Sequence, residues 1–486
     1  MRRALAFAIL GLALGACGPA PRGPVRTIAL SDCRLPGIET TVLCGRHEVH
    51  EDRAAKSGRR IALRIAVLPA RRRGGDPDPV VVLAGGPGQG AVALAPHVRR
   101  LFDRLANTRD IVLVDQRGTG ESGPLKCDDG RGARASAAEA LFEGAMPEAL
   151  VRDCLAKLDA DPRHYATPAA TADLDEVLTG LGYGKVNLWG GSYGTRAALD
   201  FIRRHPDRVR SAVLDGVAPA DMTLPLSFVQ DGETALAKLF ESCEAEAGCR
   251  TAFPRLRESV SDLRAALARK PANATLRDPA SGEPFEVRVT ENILVTGLFR
   301  PLYSPALASL LPYAIARARA GDYGPLLAPN LEMASDLGGN LAVGMHLSVI
   351  CAEDIPRASA EDLARASRGF FGRALVDDFL RACALWPKAS LPADYAEPVK
   401  ADVPVLVLSG GIDPATPPRH GESILAGLPR ARHIVAPQLA HGVSGQGCAP
   451  RLIERFVKAA SAEGLDGRCL ERLPRPLFLL PAGAKP

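Results

Sequence analysis

The stretch from Val186 to Ala198, VNLWGGSYGTRAA, admits few local structures. It predicts a short apolar strand, a tight glycine-flanked turn and then a helix. Ser192 stands at the turn, with Gly190 two residues before it and Gly194 two residues after, the G-x-S-x-G spacing of a nucleophile elbow. A strained strand-to-helix corner lifts the serine hydroxyl above the end of a sheet. Side chains at the flanking positions would collide as strand and helix close on each other. The corner also sets Ser192 and the backbone N–H of Tyr193 at a helix N-terminus, where developing negative charge is favoured. An ordinary glycine-rich turn can share the spacing, but not the strand before it and the helix after it.

Apolar runs recur on both sides of this corner. Ile61, Leu63, Ile65 and Val67 alternate within 60–69, as in an antiparallel strand, and 71–79 is a polar turn. Residues 80–84 form a continuous apolar strand ending in Gly85-Gly86-Pro87-Gly88-Gln89-Gly90, with a helix expected over about 91–106. Residues 110–114 and 209–217 are further strands, and a helix over 171–181 feeds the elbow strand. Solid apolar strands alternating with helices predict an α/β fold with a mostly parallel central sheet flanked by helices. From about 219 to 398 that rhythm stops, and the chain is helix-rich and punctuated by prolines. Strands resume at 403–409 and 432–436, before a helix over 451–460. The expected organisation is a core of 31–218 and 399–486, with a large helical cap, 219–398, inserted before the last strands.

A serine hydroxyl is a poor nucleophile until a base takes its proton, and an acid must hold that base in the right tautomer. On a sheet of this kind the chain order is serine, acid, histidine. His205 lies in the helix leaving the elbow and His346 in the insertion. His420 follows the acid loop too closely to be a separate arm and is expected at the surface, and His433 opens its strand at the wrong end. His441 follows the last strand, at the carboxyl ends where ligands bind in open α/β sheets. Asp413 lies just after the strand at 403–409. Asp215, ending the strand before the insertion, is the runner-up. Ser192, Asp413 and His441 are therefore the expected catalytic residues. The oxyanion donors are expected to be the N–H of Tyr193 and one from the loop after 80–84, where Pro87 has none to offer and Gly86 or Gly88 must supply it, Gly86 being nearer the strand end. That loop has neither phosphate-binding spacing.

Met1-Arg2-Arg3 is a basic leader start, and 4–16 is an apolar run rich in small residues and too short to span a bilayer comfortably. Leu14-Gly15-Ala16-Cys17 resembles a bacterial lipobox. Cleavage before a lipidated Cys17 would remove a signal peptide, 1–16, and leave 17–30 as a tether; plain secretion is the alternative. The 486 residues are 47% hydrophobic and 24% charged, with a net charge of +5, a globular composition that does not suggest nucleic acid. Of 11 cysteines, Cys17 set aside, ten remain in a chain that carries an export signal. They fall in sequence-local couples, Cys33 with Cys44, Cys127 with Cys154, Cys243 with Cys249, Cys351 with Cys383 and Cys448 with Cys469. Five disulfides are expected, with connectivity left open, and no metal-ligand spacing competes.

Together, Gly85-Gly86-Pro87-Gly88, the run from Asp115 to Ser122 (DQRGTGES), the elbow 189–194 and the two late partner loops span about 80–460. In these the chain resembles α/β-hydrolases of the proline iminopeptidase and tripeptidyl aminopeptidase group of serine peptidases. Ala84 stands where proline iminopeptidases usually carry a histidine. The resemblance implies hydrolysis of peptides from a free N-terminus through an acyl-enzyme on Ser192, with no metal or organic cofactor. The leader and Cys17 imply export as a membrane-anchored lipoprotein facing the periplasm or cell exterior, with membrane contact only through the lipid anchor. Two alternatives stay open: an exported carboxylesterase of the same fold, and a catalytically silent surface binding protein. A protonated α-amine is costly to bury unless carboxylates meet it, and Glu353 and Asp354, beside Cys351, are the expected amine-binding pair.

Overall fold

A computed structural model describes residues 26–72, 74–127, 148–277, 282–330 and 341–483. The signal peptide and Cys17 lie outside the described residues, as does most of the tether. The core is a nine-stranded sheet. Its edge is an antiparallel meander, β1 (Ser31–Cys33), β2 (Val42–Asp52) and β3 (Ser57–Leu68). β3 then pairs antiparallel with β5 (Ile111–Val114), and from there to the far edge every pair is parallel. The parallel strands are β4 (Val80–Leu83), β5 (Ile111–Val114), β6 (Val186–Gly191), β7 (Val209–Asp215), β10 (Val405–Gly410) and β11 (Ala431–Ala436). The order across the sheet is β1-β2-β3-β5-β4-β6-β7-β10-β11. β4, β5 and β10 are buried throughout, which is why their sequences are apolar without alternation.

Each face of the sheet carries its own apolar layer. One is built on Leu83, Val112, Val177, Leu188, Phe201 and Val407. The other is built on Val82, Phe102, Leu113, Leu408, Ile453 and Phe456. The expected helix over 91–106 is shorter in the structure. A 3-10 turn leads into the helix Ala95–Leu101, and a second 3-10 turn follows it.

Between β7 and β10 the chain builds a further apolar core of its own around Leu239, Leu263, Leu294, Leu298, Phe299 and Ile315. It is mostly helical, with one addition that the sequence reading did not include. β8 (Ala272–Arg277) and β9 (Pro284–Val289) form an antiparallel hairpin; the two-residue alternation of Phe285, Val287 and Val289 with Glu286 and Arg288 is a strand signal that the expectation of a helical insertion passed over.

All five cysteine couples are disulfides in the structure, the bonding of an oxidising compartment. Among the described residues no helix is long and apolar enough to cross a membrane.

Candidate active site

β6 ends at Gly191, and the helix Tyr193–Arg204 begins one residue after Ser192. The corner is as sharp as the sequence requires. Ser192 has φ 55°, ψ −126°, a backbone conformation L-residues avoid and one found at strained functional turns. A Cβ at Gly190 would lie 2.5 Å from the Gly194 carbonyl oxygen, and one at Gly194 would strike the Leu83 carbonyl. Gly190 is therefore demanded by the strand meeting its own helix, and Gly194 by the helix meeting the neighbouring strand β4.

The loop after β4 lies against this corner. A Cβ placed on Gly85 would be 3.3 Å from Ser192 Cβ and 3.9 Å from its Oγ. Gly86 follows with φ +110° and a cis bond to Pro87. Tyr193 is the first residue of its helix, so its N–H has no partner within that helix.

Asp413 lies beyond the end of β10 and His441 beyond the end of β11. His441 Nδ1 is 2.9 Å from Asp413 Oδ2. The backbone N–H groups of Ala415 and Thr416 donate to Asp413 Oδ1 at 2.8 and 2.9 Å, and the Thr416 hydroxyl donates to Asp413 Oδ2 at 2.8 Å. Thr416 Oγ1 is also 3.1 Å from His441 Nδ1. Burial pushes the Asp413 carboxyl up, but His441 and these N–H donors outweigh it and hold it below its ordinary value. For His441 burial pulls the other way, and the carboxylates of Asp413 and Asp215 hold the imidazole above its ordinary value.

The end of β7 joins the two halves. Ser192 N–H donates to the Asp215 carbonyl at 2.9 Å. The Asp215 carboxylate accepts from the N–H groups of Val443 and Ser444 at 2.9 and 2.7 Å, bracing the loop that carries His441. A Cβ on Gly216, the next residue, would sit 2.7 Å from Thr416 Oγ1 and 3.5 Å from His441 Cε1. Asp215, the runner-up acid, is thus a brace, and Asp413 is the carboxylate on the histidine.

The insertion closes on these groups. The Tyr303 ring packs edge-on to His441 with centroids 5.0 Å apart, and the Tyr303 carbonyl accepts from His441 N–H at 3.3 Å. Ala342 N–H donates to the Gly88 carbonyl at 2.9 Å, and His346 Nδ1 lies 2.9 Å from the Pro87 carbonyl oxygen. Lys238 donates to the Gly411 carbonyl at 2.7 Å.

Comparison with known proteins agrees with this geometry. A family model described as alpha/beta hydrolase fold matches residues 78–244, and one described as TAP-like protein matches 368–469. The first match contains the glycine-rich loop after β4 and the elbow, the second the Asp413 and His441 loops. Serine protease Hip1 of Mycobacterium tuberculosis is 25% identical over 466 residues, covering 90% of this chain and 88% of that protein. Tripeptidyl aminopeptidase of Streptomyces lividans is 24% identical over 500 residues, covering 96% and 90%. Proline iminopeptidase of Neisseria gonorrhoeae is 31% identical over 145 residues, covering 29% and 34%. The chain has the α/β-hydrolase fold, and the curated proteins it is similar to are serine peptidases and aminopeptidases.

In this α/β-hydrolase two sequence expectations need correction. Glu353 and Asp354 are fully buried and spent on the protein itself. Arg196, four residues past Ser192, donates to Asp354 at 3.0 and 3.1 Å and reaches Glu353 at 3.4 Å. Thr167 donates to Glu353 through its N–H at 2.6 Å and its hydroxyl at 3.0 Å, and the Tyr395 hydroxyl donates to it as well. The Leu224 N–H donates to Asp354 at 3.1 Å. Fully buried and already paired with Arg196, these carboxylates are out of reach of a substrate ammonium. They lock the helix after the elbow to the cap instead, held there by the Cys351–Cys383 disulfide. The second correction is His420, which is buried, not at the surface, with Nε2 2.9 Å from Asp231 Oδ2.

Sequence reasoning missed Thr416, Tyr303 and the bracing role of Asp215. Only Thr416 had a local signal: an aspartate accepting from the N–H groups two and three residues on is an Asx-type turn.

Proposed function

We propose that this chain is an exported serine exopeptidase that releases residues from the free N-terminus of peptides. The observation that carries the reading is the 2.9 Å contact from His441 Nδ1 to Asp413 Oδ2, in loops adjoining the strained Ser192. With Nδ1–H directed at Asp413, the His441 Nε2 lone pair is free to take the Ser192 proton. Ser192 Oγ attacks the scissile carbonyl, the N–H groups of Gly86 and Tyr193 receive the oxyanion, and His441 hands the proton to the leaving amine. Water then releases the acyl group by the same route.

Exopeptidase action is supported by the cap, whose Tyr303 lies directly on His441; a covered site suits a chain end better than the middle of a folded chain. It is also supported by relatives named tripeptidyl aminopeptidase and proline iminopeptidase. Export fits the five disulfides, and anchoring through a lipidated Cys17 fits the leader sequence.

Ser192→Ala is expected to abolish both turnover and labelling by a fluorophosphonate probe, and full activity in that variant would end the reading. A panel of aminoacyl-, dipeptidyl- and tripeptidyl-anilides beside a short-chain ester separates peptidase from carboxylesterase. Cys17→Ser is expected to lose membrane association and the mass of the acyl chains, and unchanged fractionation would favour plain secretion.

A further inference from the structure

The loop after β4 is made of residues that leave it loose. Glycines stand on both sides of Pro87, and Gly86 and Gly88 have φ of +110° and +111°, a region that glycine visits freely. Among the described residues the N–H groups of Gly86 and Gly88 make no hydrogen bond. N–H groups that receive an oxyanion help only when they are already aimed at it, so something outside the loop must hold it. The holding groups come from the insertion. Ala342 N–H donates to the Gly88 carbonyl at 2.9 Å, and Gln89 forms an antiparallel bridge with Leu341. His346, in the helix Val343–Val349, brings Nδ1 to 2.9 Å from the Pro87 carbonyl oxygen. A carbonyl only accepts, so Nδ1 carries the proton. The fit is close: a Cβ on Gly88 would lie 2.7 Å from the Ala342 carbonyl oxygen, and one on Gly86 3.0 Å from Leu341 Cδ1. Phe379 backs the His346 ring with centroids 5.6 Å apart. Gly344 N–H donates to the Leu125 carbonyl at 2.8 Å, pinning the same helix to the core. Burial pulls the His346 imidazole below its ordinary value, which keeps it an uncharged donor near neutral pH.

We infer that His346 is a positioning residue for the oxyanion loop: by holding the Pro87 carbonyl it fixes where the glycine N–H groups of that loop point. The Pro87–Gly88 peptide is trans and planar, so a grip on its carbonyl turns the Gly88 N–H to the opposite side. The ring locks φ of Pro87, and the same grip settles ψ, its one soft torsion, and with it the path from Gly86 to Gly88. The inference rests on the proposed reading of Ser192 as nucleophile and adds a condition to it. The oxyanion site is complete only with the cap segment 341–346 seated on the loop. Because the oxyanion exists in the transition state and not in the bound substrate, loss of His346 should appear in kcat and spare KM.

The test is kinetic, on the full-length protein. His346→Asn keeps a side-chain N–H at about the reach of Nδ1, His346→Leu has nearly the size of that asparagine without the donor, and His346→Phe keeps the ring without it. A tripeptidyl anilide and 4-nitrophenyl acetate serve as substrates, since both acylations pass through an oxyanion. The two donorless variants are expected to lose about 10- to 100-fold in kcat on both, a part of the roughly 100- to 1000-fold that removing one oxyanion donor costs, with KM within about twofold. His346→Asn should recover most of that loss. A peptide aldehyde, whose adduct with Ser192 carries an oxyanion, should bind the donorless variants more weakly by a similar factor, while the product tripeptide binds them as it binds the wild type. Two donorless variants leave one to be read if the other does not fold. The inference is overturned if a folded donorless variant keeps the wild-type kcat, if His346→Asn is as impaired as His346→Leu, or if KM and product binding worsen as much as kcat, the mark of a loosened cap. Cleavage of the ester and of no peptide would end the peptidase reading and leave the ester series to decide the role of His346. A wild type that cleaves neither would end both.

Discussion

Ser192 and Asp215 are joined by a single backbone hydrogen bond, the serine N–H donating to the aspartate carbonyl at 2.9 Å. Through its side chain the same aspartate holds the N–H groups of Val443 and Ser444. Ser444 in turn accepts from Trp189 Nε1 at 3.0 Å, on the strand that ends in the elbow. The nucleophile corner and the histidine loop thus hang on one residue at the end of β7.

A first prediction separates this brace from the acid that touches the histidine. Asp413→Asn should lower kcat by on the order of 10⁴-fold, because the amide favours the wrong imidazole tautomer. Asp215→Asn turns an amide N–H₂ toward a backbone donor, so it should cost about 1–3 kcal/mol of stability with a much smaller fall in kcat. Thermal melts and steady-state kinetics on the two variants check the order, and a larger kcat loss at Asp215 would reverse the assignment.

The second concerns pH. The base must be neutral to accept the serine proton. Asp413 and Asp215 hold His441 above its ordinary value of 6.5 against the opposing effect of burial. The acid limb of kcat/KM should accordingly have its midpoint above 6.5 and move down when Asp413 becomes Asn. A profile with its midpoint below the ordinary imidazole value would count against His441 as the base.

Thr416 supports a third. Its hydroxyl donates to Asp413 and lies 3.1 Å from His441 Nδ1, so Thr416→Val removes one of the donors on the carboxylate while nearly preserving volume. A fall in kcat of about tenfold is expected, with KM little changed, and Thr416→Ser should restore most of it. Equal effects on kcat and KM would point to general loosening of the loop.

The buried pair Glu353 and Asp354 leads to a fourth. Arg196→Met leaves both carboxylates without their main cation, which should cost about 3–5 kcal/mol and lower the melting temperature. Wherever the protein remains folded, activity on free-amine and N-acetylated substrates should fall in parallel. A selective rise in KM for free-amine substrates in Glu353→Gln would restore the amine-binding role that the buried geometry denies.

The elbow at Ser192 was legible because its signal is local. A strained corner can be made by few sequences: Gly190 answers a contact within the strand–turn–helix unit itself, and Gly194 one with the adjacent strand at Leu83. Solid apolar runs such as Val80–Leu83 likewise announce strands covered on both faces. Asp413 and His441 could be chosen because chain order and strand ends restrict the candidates. Glu353 and Asp354 misled for the opposite reason. An acidic pair beside an apolar run has the same sequence whether it faces a substrate or a buried arginine.

By itself the sequence determined the strand–helix alternation, the elbow, the order of the three catalytic candidates and the supply of paired cysteines. Each depends on residues near one another along the chain. Only the tertiary structure decided that Arg196 neutralises the acidic pair, that Asp215 braces the histidine loop, and that Tyr303 covers His441. Those outcomes turn on which side chains meet across the sheet and under the cap. A charge carries no mark of its partner until folding brings the two within hydrogen-bonding distance in a medium too dry to screen them.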